Sequence, residues 1–93
     1  MMQVQQAGNR WNVQGDILIG TASVLLKASQ QCLMQAKTVV DFKEVGNIDT
    51  AVISLILEWK RRAKRENSTL ELANMPENLK SLAALYGVTD IVN

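Results

Sequence analysis

The residues best placed to do chemistry lie in one short stretch, Asn47-Ile48-Asp49-Thr50-Ala51-Val52-Ile53-Ser54-Leu55. An apolar run, Thr38-Val39-Val40-Asp41-Phe42, precedes it. A basic run, Lys60-Arg61-Arg62-Ala63-Lys64-Arg65, closes the helical pattern that it opens. Asp49 is a strong N-cap type, because its carboxylate accepts from the free N–H groups of a first helical turn. Thr50 then carries a hydroxyl at a helix start. Either it is a helix-start residue that happens to bear a hydroxyl, or it contacts an anion or a partner's acceptor. Free N–H groups and the helix dipole favour such a contact. A phosphate on Thr50 is electrostatically tolerated at the same place.

The remaining candidates are weaker. Cations near a helix C-terminus are stabilising on their own, so Lys60 to Arg65 reads first as a solvated face. A nucleic-acid role wants aromatic residues interleaved for stacking, and the only one nearby, Trp59, falls on the core stripe. An anionic membrane remains open, at about 1 kcal/mol for each Lys or Arg near its surface. Cys32 lies on an apolar stripe and reads as a small hydrophobe. Trp11, on a possible edge strand, is either core or contact.

Catalysis finds little to work with. The chain has no His, which removes the commonest general base and metal ligand. Its single Cys allows neither an internal disulfide nor a thiolate metal cluster. No Ser or Cys stands beside a plausible base, and no G-x-x-x-x-G-K-[ST] loop is present. Asp41, Glu44 and Asp49 read as strand end, loop and cap rather than as paired carboxylates. The expectation is a non-enzyme without cofactor or metal.

The elements that must position Thr50 follow from pattern. With 93 residues, 47% of them apolar, the chain suits one domain with a modest core. A net charge of +1 gives no overall field toward nucleic acid or anionic lipid. Residues 1–9 read as a polar lead-in, and 10–93 as the domain. Arg10 to Val13 reads as a short strand, Gln14-Gly15-Asp16 as a turn, and Ile17-Leu18-Ile19 as the second strand of a hairpin. Thr21 to Gln35 reads as a helix burying Val24, Leu25, Ala28, Cys32 and Leu33. Lys37 to Phe42 reads as a central strand, with a turn over Lys43 to Asn47.

The next helix runs from Asp49 to about Glu66. Ile48 and Ile53 are spaced for a hydrophobic staple. Val52, Leu55, Ile56, Trp59 and Ala63 form its buried face. Ser68 to Ala73 alternates as a strand. Asn74-Met75-Pro76 starts a last helix with the stripe Leu79, Leu82, Ala83, Tyr86; Gly87 stops it. Val88 to Val92 reads as a short apolar tail packing back on the domain. The order β-β-α-β-α-β-α predicts an α/β fold, a mixed four-stranded sheet with three or more helices. Right-handed crossovers bring the helix starts to one end of the sheet.

The first residues have neither a basic flank nor an apolar h-region, so no signal peptide is expected. No apolar run approaches the about 20 residues that span a bilayer. A lone Cys fits a reducing compartment. These readings place the chain in the cytoplasm, with any membrane role carried by a partner.

The strand with Asp41, the turn and the Asp49-Thr50 helix start resemble the STAS-domain family, from about Trp11 to Val92. Within it, the chain is similar to the small cytoplasmic STAS subunits of phospholipid-transport ABC complexes of Gram-negative bacteria. Ile48-Asp49-Thr50, Arg62-Ala63-Lys64-Arg65, Ser68-Thr69-Leu70-Glu71-Leu72 and Leu82-Ala83-Ala84-Leu85-Tyr86-Gly87 carry that likeness. The resemblance implies a non-catalytic subunit that binds and stabilises or regulates the transporter's ATPase subunit, itself in complex with a permease. The transport implied maintains outer-membrane lipid asymmetry. The subunit would be peripheral on the inner membrane's cytoplasmic face, held there through partners, without direct nucleic-acid contact. An isolated copy would be able to dimerise through its bare docking patch.

The resemblance implies that Thr50 faces the partner ATPase, and the expected partner surface around it is Asn47, Asp49, Thr50, Ala51, Ile53, Ser54 and Leu57. Thr50 and Ser54 would supply hydrogen bonds, and Ile53 or Leu57 apolar contact. Anti-sigma-factor antagonists of the family carry a phosphorylated Ser at the second position after the Asp. Here that position is Ala51, and the following Gly is Val52. Both departures favour constitutive docking over a phospho-switch. The alternatives are an antagonist binding a serine-kinase anti-sigma factor, and a direct lipid or nucleic-acid binder using Lys60 to Arg65.

Overall fold

A computed structural model describes residues 2–92. The elements run β1 (Gln3–Ala7), β2 (Arg10–Ile17), α1 (Ala22–Gln30), β3 (Lys37–Ile48), α2 (Ala51–Arg65), β4 (Thr69–Ala73) and α3 (Glu77–Leu85), then a 3-10 turn, Thr89–Val92. The sheet order is β1-β2-β3-β4. β1 pairs antiparallel with β2, while β2–β3 and β3–β4 are parallel. The expected α/β architecture, a mixed four-stranded sheet with three helices in the order β-β-α-β-α-β-α, is the one observed.

The first hairpin is displaced from its expected place. Gln3–Ala7, read as lead-in, is β1, and the turn falls at Gly8-Asn9, where Gly8 takes φ 61°. Glutamine has little strand preference, so Gln-Val-Gln-Gln hides its alternation. Pairing with β2 fixes it. Val4 faces Val13 and packs against the core. The Gln3 and Gln5 amides bond to Gln14. The expected turn at Gln14-Gly15-Asp16 lies inside β2, opposite two bulges of β3. Between Asn12 and Gln14, and again between Gly15 and Ile17, two residue steps of β2 face three of β3. Those bulges keep β3 paired to Ile48, so the expected turn over 43–47 is strand, and Asp41 lies mid-strand.

All three helices feed one core on one face of the sheet. Its largest fully buried side chains include Trp11 and Ile17 of β2, Phe42 of β3, Leu25 of α1, Ile56 and Trp59 of α2, and Leu79 of α3. Trp11 is therefore core, on an interior strand. It meets Trp59 edge to face, centroids 6.1 Å apart at 84°. The Trp59 indole N–H donates to Ser29 Oγ at 2.8 Å, and that of Trp11 to Leu33 O at 3.2 Å. Three expected core residues are out in solvent: Val24, Leu33 and Tyr86. α1 stops at Gln30, so Leu33 lies beyond its stripe. α3 stops at Leu85, with Tyr86 already at its C-cap.

The basic run is not uniformly solvated. Arg62 turns inward and lies 5.3 Å over the Trp11 ring. Its guanidinium donates to Ser29 O at 3.0 Å and Cys32 O at 2.7 Å, satisfying carbonyls where α1 ends. Its Nε pairs with Glu66 at 2.6 Å. Cys32 lies beneath. Burial pushes its thiol up, against a smaller opposing pull from the Arg62 charge.

The opposite sheet face is polar and carries one nearly buried carboxylate. Asp41 Oδ2 accepts from Arg10 Nε at 3.0 Å, and Oδ1 from Asn74 Nδ2 at 3.0 Å and the Lys43 N–H at 2.8 Å. Burial opposes its ionisation, but those donors and the Arg10 charge outweigh burial, so Asp41 titrates below the ordinary aspartate value.

A folded-state pKa below the unfolded one gives stability that is present above about pH 4 and lost as pH falls through the folded value. Urea unfolding measured from pH 7 downward should show that acid-side loss, and Asp41→Asn should flatten it. Arg62→Ala should cost about 2–3 kcal/mol, since it removes a ring stack and charge-assisted bonds to two part-buried carbonyls. Arg62→Lys should recover less than half, read in the same unfolding series, because an ammonium cannot fork to both carbonyls.

Candidate partner-docking site

The site is built by one carboxylate. Asp49 Oδ1 accepts from the Ala51 N–H at 2.8 Å, capping α2. Its Oδ2 accepts from the Ile19 N–H at 3.0 Å, and its own N–H donates to Ile17 O at 3.1 Å. The loop leaving β2 is thus tied to the start of α2. Thr21 Oγ1 tightens it further, accepting from the Leu18 N–H at 2.9 Å and donating to Asp16 O at 2.7 Å. The Asp16 carboxylate in turn accepts from the Asn47 N–H at 2.8 Å. It presses so closely on Gly46 that a Cβ there would overlap it.

These bonds set the heads of α1 and α2 side by side at the end of β2 and β3. Between the helices runs a notch of about 100 Å³, lined by Ala22, Ser23 and Leu26 of α1 and Ser54, Leu55 and Glu58 of α2. Ile19 stands at its head with 87% of its surface exposed. Thr50 is exposed beside it, already in helical conformation (φ −61°, ψ −19°), and its side chain makes no capping bond.

The expected surface is partly reassigned. Thr50, Ser54 and Asn47 are exposed, and Ala51 and Leu57 half-buried. Asp49 has both carboxylate oxygens engaged within the chain, so its role is positional. Ile53, expected to supply outward apolar contact, is buried in the core. The core-facing arc of α2 is wider than one stripe, because the 3-10 turn also packs against it. Leu57 packs against the core from its rim.

The residues missed are Ile19 and the α1 side of the notch. The Ile17-Leu18-Ile19 run looked like strand. In fact β2 ends at Ile17, and Gly20 follows directly on the exposed Ile19. An apolar residue stranded between a strand end and a Gly was the available signal. Among the described residues, no group of three His, Cys, Asp or Glu side chains could hold a metal ion. No helix there is long and apolar enough to cross a membrane.

Comparison with known proteins places this geometry. A family profile described as "Mlab, STAS domain" matches residues 2–93. In fold, the chain is similar to a sulfate transporter family protein from Wolinella succinogenes: TM-score 0.70, 15% identity, covering 91% of this chain and 70% of that one. It is similar also to the anti-sigma factor antagonist SpoIIAA in its unphosphorylated form: TM-score 0.64, 11% identity, 91% and 83% covered. A further likeness is to Mglu, at TM-score 0.59 and 28% identity; it covers 80% of this chain and only 19% of that one. No curated protein matches the chain. At such identities the first two structures speak for the fold alone. The profile, by contrast, spans every element from β1 to the last turn, and by it this protein belongs to the STAS-domain family, in its MlaB-type branch.

Proposed function

We propose that this protein is a non-catalytic STAS subunit that docks on the ATPase subunit of an ABC transporter, itself assembled with its permease. Through that contact it stabilises or regulates the ATPase during phospholipid transport that maintains outer-membrane lipid asymmetry. STAS domains in general are interaction and regulatory modules. The observation that carries the reading is the exposed Thr50, with no capping bond, beside Ile19 and above the α1–α2 notch. Asp49 fixes the Thr50–Ile19 pair before any partner arrives, which lowers the ordering cost of binding. Thr50 and Ser54 offer hydrogen bonds, and Ile19 and the notch offer apolar area.

Membership of the MlaB-type branch is the ground on which we propose an ATPase as the partner. The chain would then reach the membrane's cytoplasmic face through the complex. Ala51 supports constitutive docking. It stands where an anti-sigma-factor antagonist would bear its phosphorylated Ser, and it has no oxygen to phosphorylate.

Thr50→Glu separates docking from folding. A carboxylate at a helix start is favoured by the dipole, so the domain should melt within a few degrees of wild type. A charge buried at the centre of an interface should weaken ATPase co-purification at least tenfold. A folded Thr50→Glu protein that still co-purifies the ATPase at wild-type yield would refute the site.

A further inference from the structure

We infer that the docking surface continues from Thr50 down the whole outward face of α2, and that the ATPase meets its far end with a cluster of carboxylates. The inference rests on the ATPase reading above and names the chemistry of its second contact. Thr50, Ser54, Leu57, Arg61 and Lys64 recur at i, i+4, i+7, i+11 and i+14, one straight stripe on a helix. The opposite face holds the buried Val52, Ile56, Trp59 and Ala63. The stripe is therefore the side turned away from the sheet, with only Leu57 in it half-buried against the core rim, and from Thr50 to Lys64 it runs about 21 Å at the helical rise. That length suits a protein surface rather than a single side chain.

Charge along the stripe is uneven. Its head is neutral, and its tail bears Arg61, Lys64 and Arg65, all exposed. Local acids neutralise this tail only at Arg61. Glu66 is taken by Arg62, which faces inward, and Glu58 pairs only with Arg61. Among the described residues, Lys64 and Arg65 form no ion pair. The nearest aromatic, Trp59, is buried, so the stacking surface that single-stranded nucleic acid uses is missing. The cationic tail is continuous with Thr50, Ser54 and Leu57 on one face, which favours one acidic protein partner over a lipid headgroup.

The test uses the full chain and the ATPase–permease complex. Binding is measured for wild type, Thr50→Glu and Lys64→Glu/Arg65→Glu at about 50 mM and about 500 mM NaCl, where screening differs strongly. Thermal melts confirm that each variant is folded. The expected result is about tenfold weaker binding of the double variant at low salt, a gap that closes at high salt. The Thr50→Glu defect should persist at both. Equal binding of the double variant and wild type overturns the acidic contact while leaving the Thr50 site standing. No binding by wild type overturns both readings together. Lys64- and Arg65-dependent sedimentation with vesicles of about 30% phosphatidylglycerol, without any effect on the ATPase, also overturns it and assigns the tail to lipid.

Discussion

Two crossover helices have to be held at a fixed spacing over one face of a small sheet, and the buried bond from the Trp59 indole to the Ser29 hydroxyl sets that spacing. Both side chains are almost wholly enclosed. Neither could find water if the other moved, so the bond cannot be released without stranding a donor. Ser29 also donates to Leu26 O at 2.6 Å, which holds the hydroxyl in the orientation that accepts from the indole. Beneath, Trp11 meets Trp59 edge to face and carries the same constraint into β2.

From that fixed middle, the two ends of the helix pair are closed by opposite charges. At the head, the Asp49 carboxylate joins the start of α2 to the loop entering α1. At the tail, the Arg62 guanidinium joins α2 to the carbonyls where α1 stops. Each charge faces the pole of the helix dipole that suits it. The notch between the helices is thus fixed at three levels, and a surface so held has little to lose in entropy on meeting a partner.

How much of this the sequence disclosed depended on how local the chemistry was. Asp49-Thr50 could be read because capping involves neighbours in the chain. The order of elements followed from long apolar stripes such as Val52 to Ala63. β1 stayed hidden because its strand character comes from pairing, with the Gln3 and Gln5 amides meeting Gln14 across the hairpin. The length of β3 was masked because two bulges in register, and not its own composition, carry it past Phe42. Ile53 and Arg62 were misplaced for one reason: the period of a helix gives angles, while burial depends on which neighbours occupy them. Ile19 belongs to no period, so only its place between β2 and Gly20 could have marked it.

The helices cover one side of the sheet only, and the other side is wet. Gln3, Gln5 and Gln14 exchange amide bonds there, and Glu44 joins them. Such contacts compete with water and can be replaced by many other polar sets. Lys37 and Glu71, paired across β3 and β4 at 3.3 Å, are both more than half exposed and equally replaceable. Among the described residues there, only Asp41, enclosed by Arg10, Asn74 and the Lys43 amide, resists such exchange. Sequence drift in this lineage should therefore run fast across one side of the molecule and slowly across the other, with Asp41 as the one conserved island in the variable field.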